Sequence, residues 1–125
     1  PLAYTSFSVP ASLVDEFEKI SEPLREAYPD YGFTVNAMTP RPRPTSTGGT
    51  DASVFSIRGV PTVGMRETDA LGYDFQYREI WHTERDTYTE SIPEYQEQAA
   101  AALAIIGLGT ANLDEIFPRN EVYTD

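Results

Sequence analysis

A chain of 125 residues fits one domain, and a chain of this size hides roughly 65 % of its unfolded surface, enough for a modest core. Hydrophobic residues at 40 % and charged residues at 23 % exclude wholesale disorder, and no window approaches the roughly 18 apolar residues of a membrane span. Nine Arg or Lys against twenty Asp or Glu give a net charge of −11, which makes phosphate backbones and anionic lipid poor partners. The basic pair Arg41 and Arg43 in RPRP is too small to reverse that balance.

The first organised stretch runs from Ser12 to about Tyr28. Leu13, Phe17, Ile20 and Leu24 fall at helical spacing, and Ser12 with Asp15 resembles an N-terminal capping box. Pro23 lacks the amide proton for the Lys19 carbonyl, so the helix should kink or restart there. Pro29, Asp30 and Gly32 mark a turn, and Phe33 to Met38 alternates as a strand does. The next segment, PRPRPTSTGG, is expected to be an extended arm leading into a tight glycine turn. Asp51 or Thr50 should then cap a short helix, DASVFSIR, closed by a left-handed Gly59.

Val60 to Met65 reads as a short buried strand. Residues 66–90 mix charges and aromatics without a clear period, and a loop of that length often marks function. Ser91 and Glu94 form a second capping box, with Pro93 in the first helical turn. Ile92, Tyr95, Ala99, Ala102, Leu103 and Ile106 give the last helix its apolar face, and Gly107 and Gly109 should end it. The tail from Asn112 is expected to be a surface strap. The element order implies an α/β layer arrangement, and its two strands make a thin sheet that hints at missing partners.

The chemistry available is narrow. The absence of cysteine excludes disulfides, Cys-ligated zinc and thiol catalysis. A single histidine, His82, excludes any two-His site built from this chain alone. By spacing, His82 reads first as a satisfied or exposed histidine beside Trp81 and only second as a metal ligand, since one ligand does not make a zinc site. The turn STGGTD permits close backbone approach to a ligand, or is simply a turn, and it lacks the spacing of a phosphate loop. Trp81 and the tyrosines around it suit either a pocket or the core. No pair of carboxylates has glycosidase spacing, and no G-x-S-x-G elbow surrounds any serine.

Two segments together say more. GGTDASVFSIRGVPTVGM (Gly48 to Met65) and WHTERDTYTESIPEYQEQAAAALAIIGL (Trp81 to Leu108) resemble the C-terminal part of the co-catalytic zinc exopeptidases, metallopeptidase family twenty-eight. That family includes leucyl aminopeptidases, glutamate carboxypeptidases, carboxypeptidase Q and the divergent glutaminyl cyclases. Its turn appears as Gly49-Thr50-Asp51 with Phe55, its G-[IV]-P as Gly59-Val60-Pro61, and its histidine loop as His82-Thr83 through Asp86-Thr87. The resemblance covers about Ser46 to Leu108.

It implies the C-terminal portion of a three-layer α/β/α domain, with a partial mixed sheet flanked by helices. It implies two zinc ions in the complete enzyme, whose activated water hydrolyses a terminal peptide bond. His82 would be the last metal ligand; Gly48, Gly49, Thr50 and Trp81 would border the substrate; Asp51 and Asp86 would fix the surrounding loops. Ala52 departs from the histidine that many members carry after the turn aspartate, so the preferred side chain stays open.

The family's other ligands come from an H-x-D, a Glu-Glu pair and an Asp, and this chain has no H-x-D, no second histidine and no Glu-Glu pair. The expectation is therefore one C-terminal portion spanning residues 1–125, inactive alone, whose partners are a peptide substrate and its own upstream half. Pro1 in place of Met agrees with a shortened chain. Self-association through an uncovered sheet edge is expected, and relatives favour export. The alternatives are a metal-free binding or receptor-like relative, a glutaminyl cyclase, whose loop also places Trp before the histidine, or a chance match.

Overall fold

A computed structural model describes residues 2–125. Its central strand is one that the sequence periodicity leaves unread: β1, Ala3–Val9, lies between β2, Thr34–Ala37, and β3, Met65–Thr68. β1 pairs parallel with β2, aligning Phe7 with Val35, and antiparallel with β3, aligning Phe7 with Met65. A bulge between Tyr4 and Ser6 interrupts the β1–β3 register.

The crossover from β1 to β2 carries α1, Val14–Ile20, and α2, Glu22–Ala27, which break at Ser21 as Pro23 requires. Ser21 is fully buried, and its hydroxyl donates back to the Phe17 carbonyl at 2.5 Å, so the break leaves no orphaned polar atom. Arg25 reaches across the break to the Ser21 hydroxyl at 2.9 Å and to Glu18 at 3.1 Å. The long helix α5, Pro93–Ala111, lies over β1 and against α1.

One face of the sheet therefore holds the core: Phe7, Val9 and Val35 meet Phe17, Leu24, Ala102 and Ile106. Phe17 is edge-on to Phe7 at 5.2 Å and to Phe117 at 5.9 Å. The opposite face carries Ser8, Thr34, Asn36 and Arg66, all exposed. The α/β class is as expected, with a mixed sheet and one helical layer; among the described residues nothing covers the polar face.

Several local expectations change. Neither capping box forms: the Ser12 hydroxyl donates to Glu121 at 2.9 Å, and that of Ser91 to the Tyr88 carbonyl at 2.7 Å. The strand expected at Val60 to Met65 begins only at Met65, because Pro61 has no amide proton and Tyr123 Oη takes the Val60 carbonyl at 2.9 Å. Gly107 and Gly109 do not end α5, which runs on to Ala111. Gly109 instead lets the helix approach α1, where an added Cβ would strike Ile20. Leu103 is 53 % exposed, off the buried stripe.

The tail is more than a surface strap. Val122 and Tyr123 are buried, and the segment pairs with the proline-rich arm through a bridge between Arg41 and Tyr123.

Candidate functional site

The glycine turn lies past the carboxyl ends of β1 and β2. It precedes the short helix α3, Ala52–Ser56, and is closed by Ser53, whose hydroxyl donates to the Thr50 carbonyl at 2.7 Å and to that of Gly48 at 3.2 Å. Asp51 precedes α3 but makes no side-chain cap bond. Helix α3 ends at Ser56, short of the expected Arg58, while Gly59 does take the expected left-handed conformation, at φ 75°, and lets Val60 N–H turn back to the Phe55 carbonyl. Gly48 and Thr50 line a cavity of about 270 Å³ with Arg41, Pro44, Ser56 and Thr62.

The histidine loop is anchored elsewhere. β3 runs antiparallel to β1, so the chain leaves it at Thr68, beside Ala3, at the amino end of β1. Asp69 follows at once. Its carboxylate accepts the Tyr95 hydroxyl at 2.5 Å, Tyr73 N–H at 2.9 Å and Phe75 N–H at 3.1 Å. Tyr95, at the start of α5, is fully buried, and its oxygen accepts Leu71 N–H at 2.6 Å.

This arrangement sets two acidities. The Tyr95 hydrogen bond, with the backbone amides behind it, holds the Asp69 carboxyl below its ordinary range. Burial first, and the hydrogen bond to Asp69 second, push the Tyr95 phenol up to about 12.

Beyond Phe75 the chain forms α4, Tyr77–Ile80, and then presents Trp81 and His82. The rings of Tyr77, Trp81 and His82 stack in series, at 6.1 Å and then 4.0 Å, and all three are exposed. His82 has φ 57°, in the left-handed region that few residues other than glycine adopt. Asp86 donates its backbone N–H to the Thr83 carbonyl at 3.2 Å, which turns the chain just after the histidine. A cleft of about 390 Å³ between the loop and the start of α5 is lined by Tyr73, Phe75, Glu79 and Ile92.

The structure thus joins Trp81 to His82, and Gly48 to Thr50, while the two groups hang from opposite ends of β3. No hydrogen bond or ring contact among the described residues links them. Asp69 and Tyr95 were not legible as partners. The turn pattern Asp69 to Gly72 signals a side-chain-closed turn, but nothing local points to a tyrosine 26 positions on.

Zinc can be tested against this donor set. Among the described residues no group of three or more His, Cys, Asp or Glu side chains is placed to hold a metal ion. One exposed imidazole does not complete a zinc site, so these residues alone do not fit the metal. No described helix is long and apolar enough to cross a membrane.

Comparison with known proteins gives one match. The model of peptidase family M28 fits residues 6–106, which includes the second part of β1 from Ser6 and the crossover that follows it, as well as the glycine turn, the histidine loop and most of α5. No curated protein and no solved structure matches the chain.

Proposed function

The chain belongs to peptidase family M28, and from that premise we propose that it is part of a zinc-dependent exopeptidase, contributing one metal ligand and part of the substrate wall. At the coarser level the family makes it a peptidase-type hydrolase. The finer reading rests on one observation: the single imidazole of the chain stands exposed on its loop, in a left-handed backbone conformation, against the face of Trp81.

His82 would offer its ring to a metal whose other ligands lie outside the described residues. Trp81, 52 % exposed, would border the peptide, and its stacking fixes the imidazole plane. Gly48, Gly49 and Thr50 would form a second wall only if substrate spans from the far end of β3. Asp51 and Asp86 would shape the turn and the loop without touching substrate. Since the zinc site is incomplete among these residues, the catalytic steps belong to the assembled domain.

The test is zinc stoichiometry by elemental analysis on the protein at its full natural length, with and without His82→Ala. About two zinc ions per chain, falling on substitution, are expected. A metal-free binding relative is the second reading, motivated by a donor set that stops at one imidazole. Zinc absent from both proteins would select it.

A further inference from the structure

We infer that Asp69 and Tyr95 form a latch that positions the His82 loop, so that these two side chains, remote from the imidazole, set where it stands. The inference rests on the reading of His82 as the functional group, and it extends that reading to residues outside the turn, the G-[IV]-P strand and the histidine loop that mark the family.

The physical basis is leverage. Among the described residues, every hydrogen bond made by residues 76–91 goes to a partner within four positions. Such bonds shape the loop but cannot place it against the body. His82 stands midway between positions 69 and 95, at the part of the excursion farthest along the chain from either end.

The attachment is concentrated at one node. Asp69 holds the Tyr73 and Phe75 amides and the Tyr95 hydroxyl, while the Tyr95 oxygen holds the Leu71 amide. The Tyr73 ring adds an edge-on contact to Tyr95 at 5.5 Å. Tyr95 in turn is fixed by burial at the start of α5 and by Tyr31, edge-on at 6.0 Å. One turn further along α5, Gln98 clamps both backbone groups of Tyr4 in the central strand. The loop is therefore referenced to the sheet through Tyr95 and its helix. Hydrogen bonds to a charged acceptor are the stronger kind, and several share this carboxylate.

Asp69 and Tyr95 are positioning residues, since neither touches His82. Tyr95→Phe removes one oxygen and keeps the ring, and Asp69→Asn keeps the shape and removes the charge. Hydrogen exchange on the 125-residue chain, read amide by amide, separates a latch from general stability. Both substitutions should raise exchange across residues 71–91 by roughly tenfold or more, with β1, β2 and the second half of α5 unchanged.

The emission of Trp81, the only tryptophan, should shift in both variants as its stacking loosens. Tyr28→Phe, which loses an exposed hydrogen bond to Glu97, should change neither readout. Loop exchange that stays at the parent rate, or that rises only in step with β1, would overturn the latch. If Tyr95→Phe fails to fold, Asp69→Asn decides, because Asp69 lies outside the core. The readouts need no metal. A latch confirmed beside zinc content insensitive to His82→Ala would leave the positioning intact and remove the metal role of His82.

Discussion

The body around β1 and the excursion between β3 and α5 are held by different physics. In the body, Phe17 touches rings on both sides and the apolar side chains of sheet and helices interlock, so any one contact is backed by its neighbours. In the excursion, Tyr77, Trp81 and Tyr88 are exposed, and attachment depends on one carboxylate and one phenol. Damage to the body should therefore be global and graded by volume, whereas damage to the excursion should be local and nearly all-or-none.

The largest test of that contrast is Phe17→Ala. It should cost about 3–5 kcal/mol in urea unfolding, through lost burial and the cavity left behind, and lower the midpoint seen by every probe. A loss confined to one probe would mean the body is not a single cooperative unit.

Two glycines on α5 provide a sharper pair. At Gly109 an added Cβ would collide with the Ile20 side chain, while at Gly107 nothing lies within 4 Å. Gly109→Ala should destabilise by about 1–2 kcal/mol, overpacking outweighing helix propensity. Gly107→Ala should stabilise by up to about 1 kcal/mol. Thermal unfolding of the two variants should shift in opposite directions; equal shifts would mean that α1 and α5 do not approach there.

pH separates the regions without mutation. The Tyr95 phenol is raised in the folded chain, so its contribution is whole below its ordinary pKa of 10 and is lost as pH rises through about 12. The Asp69 carboxyl is lowered, so its contribution is whole above its ordinary pKa of 3.8 and is lost as pH falls through the depressed folded value. In both windows Trp81 emission should change before the far-ultraviolet circular dichroism of the body does. Coincident changes would erase the distinction between the regions.

The smallest effect belongs to His82→Ala. An exposed side chain away from the core should leave stability within about 0.5 kcal/mol while changing Trp81 emission. A larger loss would assign the histidine a structural task.

What the sequence made legible follows the same divide. The restart at Ser21, the strand at β2 and the start of α5 at Pro93 follow from local signals, because spacing and proline chemistry act over a few residues. β1 escaped because the bulge at Tyr4 and Ser6 breaks its alternation, leaving only Phe7 to Val9 with a clean period of two. Ser12 looked like a cap, yet its hydroxyl serves Glu121, 109 positions away. Gly109 looked like a helix end, yet serves a neighbouring helix. His82 was legible from the motif around it, whereas the pair that holds its loop joins positions with no shared local pattern.

The clamp that Gln98 places on Tyr4 has a consequence for how the molecule assembles. A side-chain amide supplies both the acceptor and the donor that a neighbouring strand would offer, at 2.9 Å and 2.7 Å, across 94 positions of sequence. The central strand is synthesised before all of its partners, and then waits for β2, β3 and finally the last helix to satisfy it. Loops of that span close slowly, and an unpaired strand is an invitation to wrong partners in the interval. Yield during expression should therefore depend on the time between making residue 9 and making residue 98, a quantity fixed by translation rather than by the strength of any finished contact.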